Sequence, residues 1–210
     1  MTQAEGGDVV LVHGLWMNGL AMLPLAWRLE RCGFTVVRYG YQSVRRSLEE
    51  NVRRLAAICE KAGTPLHLVG HSLGGLVIMA MMRAYPQIAV RRVVLIGSPY
   101  ADSAAARGMA RFAWSRGLLG KTIQDWLRGP RPQVPQGVEL GVIAGDTSMG
   151  LGRLFVSLPA PNDGVVILDE TRVPGAADAI VMHISHSAML ISPIVARAVC
   201  AFLKSGRFSR

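Results

Sequence analysis

Ser72, in Gly70-His71-Ser72-Leu73-Gly74-Gly75, is the residue whose surroundings point most directly to chemistry. An apolar run, residues 66–69, precedes it and another, residues 76–82, follows, so the order is strand, tight turn, helix with Ser72 at the apex. So sharp a turn holds its central residue in a strained backbone state, and a Cβ at Gly70 or Gly74 would meet the crossing strand or helix. A hydroxyl presented there can attack an acyl carbon if an imidazole is placed to take its proton. The plainer reading is a glycine-rich helix start with an N-terminal serine. Of the five histidines, His13, His67 and His71 precede or adjoin the serine, and His183 and His186 lie far beyond it. Residues 180–184 read as a final strand, which makes His183 a strand side chain and leaves His186 just past the strand end, where a base can approach Oγ. Two carboxylates are placed to orient that histidine: Asp146, ending a strand, and Asp163, in the following loop. Asp169 and Asp178 are weaker candidates. Strand-end capping for Asp146, an Asx turn for Asn162-Asp163-Gly164 and turn capping for His186 are the ordinary alternatives.

Together with Val12-His13-Gly14-Leu15 and Asn162-Asp163-Gly164-Val165-Val166, the serine motif resembles the α/β-hydrolase superfamily, in particular its small bacterial-type esterases and lipases, over nearly the whole chain. The resemblance implies a Ser-Asp-His triad in that chain order. It assigns Ser72 as nucleophile, His186 (in His186-Ser187-Ala188-Met189-Leu190) as base and Asp163 as acid, with Asp146 the alternative. The backbone N–H groups of Leu15 and Leu73 become the oxyanion donors, and His13, His67 and His71 are left with structural roles. Carboxylic-ester hydrolysis through an acyl-enzyme is the activity it implies, without metal or organic cofactor. A thioesterase or acyltransferase would use the same groups, and a hydrolase-shaped binding protein with an unused site is the reading from another class.

The elements that must position these residues alternate. Residues 9–12, 35–41, 66–69, 93–96 and 138–144 are apolar, β-branched runs that read as buried parallel strands. Residues 22–31, with Pro24 in the first turn and Gly33 beyond the end, read as a helix, as do residues 48–61 behind the capping box Ser47-Leu48-Glu49-Glu50. A third helix, 73–85, stops at Pro86, and a last one runs from Ser192-Pro193 to Gly206. This order predicts one α/β domain over residues 1–210, with a mostly parallel central sheet, helices on both faces and ligand sites at the carboxyl ends of the strands.

Residues 101–137 and 147–162 break the alternation. The first is long enough to form a helical, lid-like insertion over the strand ends. It interleaves Arg107, Arg111, Arg116, Lys121, Arg128 and Arg131 with Met109, Phe112, Trp114, Leu119, Ile123 and Trp126. Such a pattern suits a cover over an acyl-binding groove, peripheral contact with an anionic membrane, or simply helices packed on the domain.

A net charge of +9 on 210 residues raises the question of nucleic acid, but only 18% of residues are charged and no basic run is interleaved with aromatics, so none is expected as a partner. A small ester or lipid is the expected partner. Cys32, Cys59 and Cys200 are odd in number and widely spaced, so they read as buried apolar residues in a reducing, cytoplasmic compartment. The first eight residues lack a basic leader and apolar core, so no export signal is expected.

Overall fold

The computed structural model describes residues 8–110, 113–149 and 158–209, the side chains of 113–116 excepted, so the leader reading at residues 1–7 lies outside it. Six strands form one all-parallel sheet: β1 (Asp8–Val12), β2 (Thr35–Tyr39), β3 (Leu66–His71), β4 (Val90–Ile96), β5 (Glu139–Gly145) and β6 (Asp178–Met182). Their order is β2-β1-β3-β4-β5-β6. Parallel neighbours require crossovers, and α1 (Leu23–Arg31), α2 (Leu48–Cys59) and α3 (Leu73–Ala84) supply those among the first four strands. Two further helices, α4 (Ala104–Ala110) and α5 (Ala113–Arg128), occupy the expected insertion between β4 and β5, and α6 (Pro193–Ser205) closes the chain.

Pleating decides which side chains feed which face. Val10, Val12 and Leu68 enter a core with α2, α3 and α5, whereas Val9, Leu11 and Val69 pack against α1 and α6. The helix signals act as read: Ser47 and Glu50 make both halves of a capping box, and α6 runs from the Ser192 cap with Pro193 in its first turn to a left-handed Gly206. The expectation of a buried strand fails for β2, and β6, read only as a final strand, has no fully buried residue. The sheet order puts them at the edges: Thr35, Val37 and Arg38 of β2 are exposed, and in β6 exposed residues alternate with half-buried ones. β6 also ends at Met182, leaving His183 outside the strand.

The cysteine expectation is corrected as well. Cys32 and Cys200 form a disulfide, and only Cys59 is free and buried. Cys32 caps α1 and Cys200 lies in α6, two helices that pack together on one sheet face although the cysteines are 168 residues apart. Disulfides persist in oxidising compartments, so the bridge removes the cysteine argument for a reducing one. No helix among the described residues is long and apolar enough to cross a membrane.

Candidate active site

β3 delivers the chain to Ser72 and α3 carries it away, and the reversal is possible only because the flanking residues lack side chains. A Cβ on Gly70 would lie 2.5 Å from the Gly75 backbone, and one on Gly74 would strike the carbonyl oxygens of Val12 and His13, the latter at 2.6 Å. Ser72 takes φ 53°, ψ −124°, a strained state that leaves its side chain at the head of α3. Pressing α3 onto the end of β1 also brings the following loop alongside, since a Cβ on Gly14 would be 3.1 Å from Ser72 Cβ.

His13 fixes that loop. Its Nδ1 is 2.8 Å from the Gly14 carbonyl, its Nε2 accepts from the Tyr41 N–H at 3.2 Å, and the Tyr41 hydroxyl donates back to the His13 carbonyl at 3.0 Å. The two rings stack at 4.4 Å. This pattern requires the proton on Nδ1, and burial holds the imidazole below its ordinary pKa, so His13 stays neutral. Two backbone donors flank the serine. Leu73 N–H opens α3, where no carbonyl lies one turn behind it, and Leu15 N–H donates to no group among the described residues.

Asp163 and His186 meet beside Gly97. Asp163 Oδ2 is 2.7 Å from His186 Nδ1, both side chains are buried, and the His186 N–H donates to the Asp163 carbonyl at 2.9 Å. The other carboxylate oxygen accepts from Val165 N–H at 3.0 Å and Val166 N–H at 2.7 Å. Three donors thus hold a buried carboxylate in one orientation. With Nδ1 engaged, Nε2 of His186 is the nitrogen available to the cavity that Ser72 also lines. Gly97, after β4, makes room for the pair: a Cβ there would be 3.1 Å from His186 Nδ1 and 3.2 Å from Asp163 Oδ2. Asp146 is engaged elsewhere, 2.9 Å from Nδ1 of the exposed His183. Asp169 pairs with Arg172 on the surface, and Asp178 Oδ2 accepts from the Phe208 N–H.

Two further residues support the pair: His71, given a structural role in the sequence, and Glu170, which carried no sequence signal. His71 lies under His186, ring centroids 4.7 Å apart, with Nε2 3.1 Å from the His186 carbonyl; burial above all pushes its pKa down to about 3. Glu170 is buried and accepts from Ile167 N–H and from Ala104 N–H at the start of α4, so it ties the Asp163 loop to the insertion.

Ser72, Leu73, Leu15 and His186 open onto a cavity of about 260 Å³ whose far walls are apolar: Met109 of α4, Leu119 and Ile123 of α5, and Val165 and Val166 beside Asp163. Of the insertion residues singled out in the sequence, Met109, Leu119, Ile123 and Trp126 are buried. Arg111 and Phe112 lie outside the described residues, as do the side chains of Trp114 and Arg116.

A family model described as alpha/beta hydrolase matches residues 9–201. The chain belongs to the alpha/beta hydrolase family. None of the curated proteins matches its sequence. Among solved structures this α/β hydrolase is similar to the mature Bacillus licheniformis lipase BlEst2, at 17% identity and TM-score 0.75 over 97% of this chain and 93% of that one. It is similar to a pyrethroid hydrolase from Sphingobium faniae, at 15% identity and TM-score 0.67 over 95% of this chain and 98% of that one. A third is a monoacylglycerol lipase from Paleococcus ferrophilus, at 20% identity and TM-score 0.64 over 97% and 96% of the two chains. Identities this low establish the shared fold.

Proposed function

We propose that the protein is a serine hydrolase of carboxylic esters. The observation that carries the proposal is the buried Asp163–His186 pair, whose histidine lines the same largely apolar cavity as Ser72. In this reading His186 Nε2 takes the Ser72 proton as Oγ attacks the ester carbonyl, and the charge that develops on the imidazolium faces Asp163, which already accepts two backbone hydrogen bonds. The tetrahedral oxyanion is held by the N–H groups of Leu15 and Leu73, donors that need no reorganisation as charge develops; each is worth about 10²–10³ in rate. His186 then protonates the departing alcohol. Water repeats the sequence on the Ser72 ester to release the acid.

The similar lipases and the similar pyrethroid hydrolase agree with an ester substrate. Apolar walls favour an acyl chain over a polar or charged substituent. Because Met109 of α4 and Leu119 and Ile123 of α5 line the cavity, we assign the described part of the segment 101–137 to covering the substrate.

Turnover of p-nitrophenyl esters from acetate to palmitate, compared between the wild type and Ser72→Ala, tests the proposal. Hydrolysis that Ser72→Ala abolishes, with circular dichroism unchanged, is the expected result. No hydrolysis by the folded wild type would refute it, and acyl-CoA in parallel reveals a thioesterase.

A further inference from the structure

We propose that Trp16 is the positioning residue that keeps the Leu15 N–H aimed at the oxyanion, by fastening the loop after β1 to α5; the proposal rests on the serine-hydrolase reading above. Among the described residues only Trp16, at φ 59°, and Ser72 combine a side chain with positive φ. A tryptophan keeps that strained state only where its surroundings over-determine it. Here they do so from two directions. The Trp16 N–H donates to Ser43 Oγ at 3.2 Å, which fixes the peptide plane next to the one carrying the Leu15 N–H. The indole Nε1–H donates to the Leu118 carbonyl, 102 residues away, at 2.7 Å.

The Leu118 end of this link is itself anchored. Two residues later α5 kinks at Gly120 (φ 73°, ψ 168°), where a Cβ would strike the backbone of Val44, and the Lys121 N–H donates to the Val44 carbonyl at 3.0 Å. Adjacent residues therefore hold the two parts: Ser43 takes the Trp16 N–H and Val44 takes α5. Leu119 and Ile123, on either side of that anchor, line the cavity. The oxyanion loop and the cavity wall contributed by α5 are thus a single mechanical unit joined at Trp16. Trp16 itself is 56% exposed, so its ring adds little to the core.

An anchor of this kind affects a group that matters most in the transition state, so its loss should lower kcat and leave KM nearly unchanged. Trp16→Phe keeps the ring and removes the indole N–H. A misplacement of about 1 Å in such a group costs up to about 10²-fold. Trp16→Phe should therefore lower kcat by about 10- to 100-fold with KM within about twofold. It should weaken binding of an alkyl boronic acid, whose tetrahedral Ser72 adduct uses the same donors, by the factor seen in kcat. Gly120→Ala, which forces α5 off Val44, should reproduce part of the loss, and Trp16→Phe should then cost less in that background than in the wild type. Three results would overturn the proposal: kcat of Trp16→Phe within twofold of wild type, a loss confined to KM, or an undiminished Trp16→Phe effect in a folded Gly120→Ala protein. Should Gly120→Ala not fold, kcat and boronate affinity of Trp16→Phe decide alone. Absence of Ser72-dependent turnover in the wild type would instead show that the underlying hydrolase reading is wrong.

Discussion

Replacing Asp163 with Asn probes the site through one proton. Oδ1 accepts from two backbone N–H groups, Val165 and Val166, so an amide at 163 must keep its oxygen there, because its NH₂ would face two donors. The NH₂ is then left 2.7 Å from His186 Nδ1, where Oδ2 was. It donates to Nδ1, which drives the imidazole proton to Nε2, and His186 in that tautomer cannot accept from Ser72. By this logic kcat falls about 10⁴-fold, equivalent to about 5.4 kcal/mol in the barrier. Folding suffers far less: weakening three charge-assisted hydrogen bonds costs about 1–3 kcal/mol and leaves a protein that still melts cooperatively. Asp146→Asn is the internal control. Its partner His183 is 86% exposed, so activity should stay within about twofold of wild type. The assay is kcat and KM for p-nitrophenyl butyrate, with thermal melts of all three proteins. An Asp163→Asn enzyme retaining more than about a tenth of wild-type kcat, or an equal loss in Asp146→Asn, would refute the argument from tautomers.

Two further expectations concern stability. A disulfide spanning 168 residues removes loop-closure entropy worth at most about 5 kcal/mol, typically 2–4, from the unfolded chain. Cys32→Ser/Cys200→Ser should therefore melt about 5–15 °C below the oxidised wild type, and reductant should bring the wild type down to match; melts within 2 °C would contradict the bridge. His71, held near pKa 3 by burial, binds no proton in the folded state between about pH 3 and 6.5, whereas the unfolded chain does. Its contribution is therefore complete above about pH 6.5 and is lost as pH falls through that window, by about 2 kcal/mol at pH 5. His13, also lowered, acts in the same direction. Urea melts at pH 7.5 and 5 should show a smaller drop for His71→Gln than for the wild type, and equal drops would contradict this.

Sequence legibility followed the range of the interactions. The elbow at Ser72 was readable because its requirements are contiguous in the chain: a strand, two glycines that the crossing backbone demands, and a helix. The cap at Ser47 and the stop at Gly206 were equally local. Features that depend on the sheet order were hidden. Nothing near Cys32 announces Cys200, because their meeting requires α1 and α6 to share a face, and the half-exposure of β2 and β6 follows from their edge positions. Asp146 and Asp163 looked alike as strand-end and loop carboxylates. Which one meets His186 depends on how the chain returns after β6, bringing His183 to Asp146 and His186 to Asp163. Trp16 gave no signal, since its partners lie 27 and 102 residues away.

The central claim is that Ser72 is a nucleophile activated by His186, and the most direct measurement is reaction with an alkyl fluorophosphonate followed by peptide mass spectrometry. The account predicts one adduct, on Ser72, forming rapidly in the wild type, far more slowly in His186→Ala and not at all in Ser72→Ala. A folded wild type that takes no label, or takes it on another residue, would contradict it.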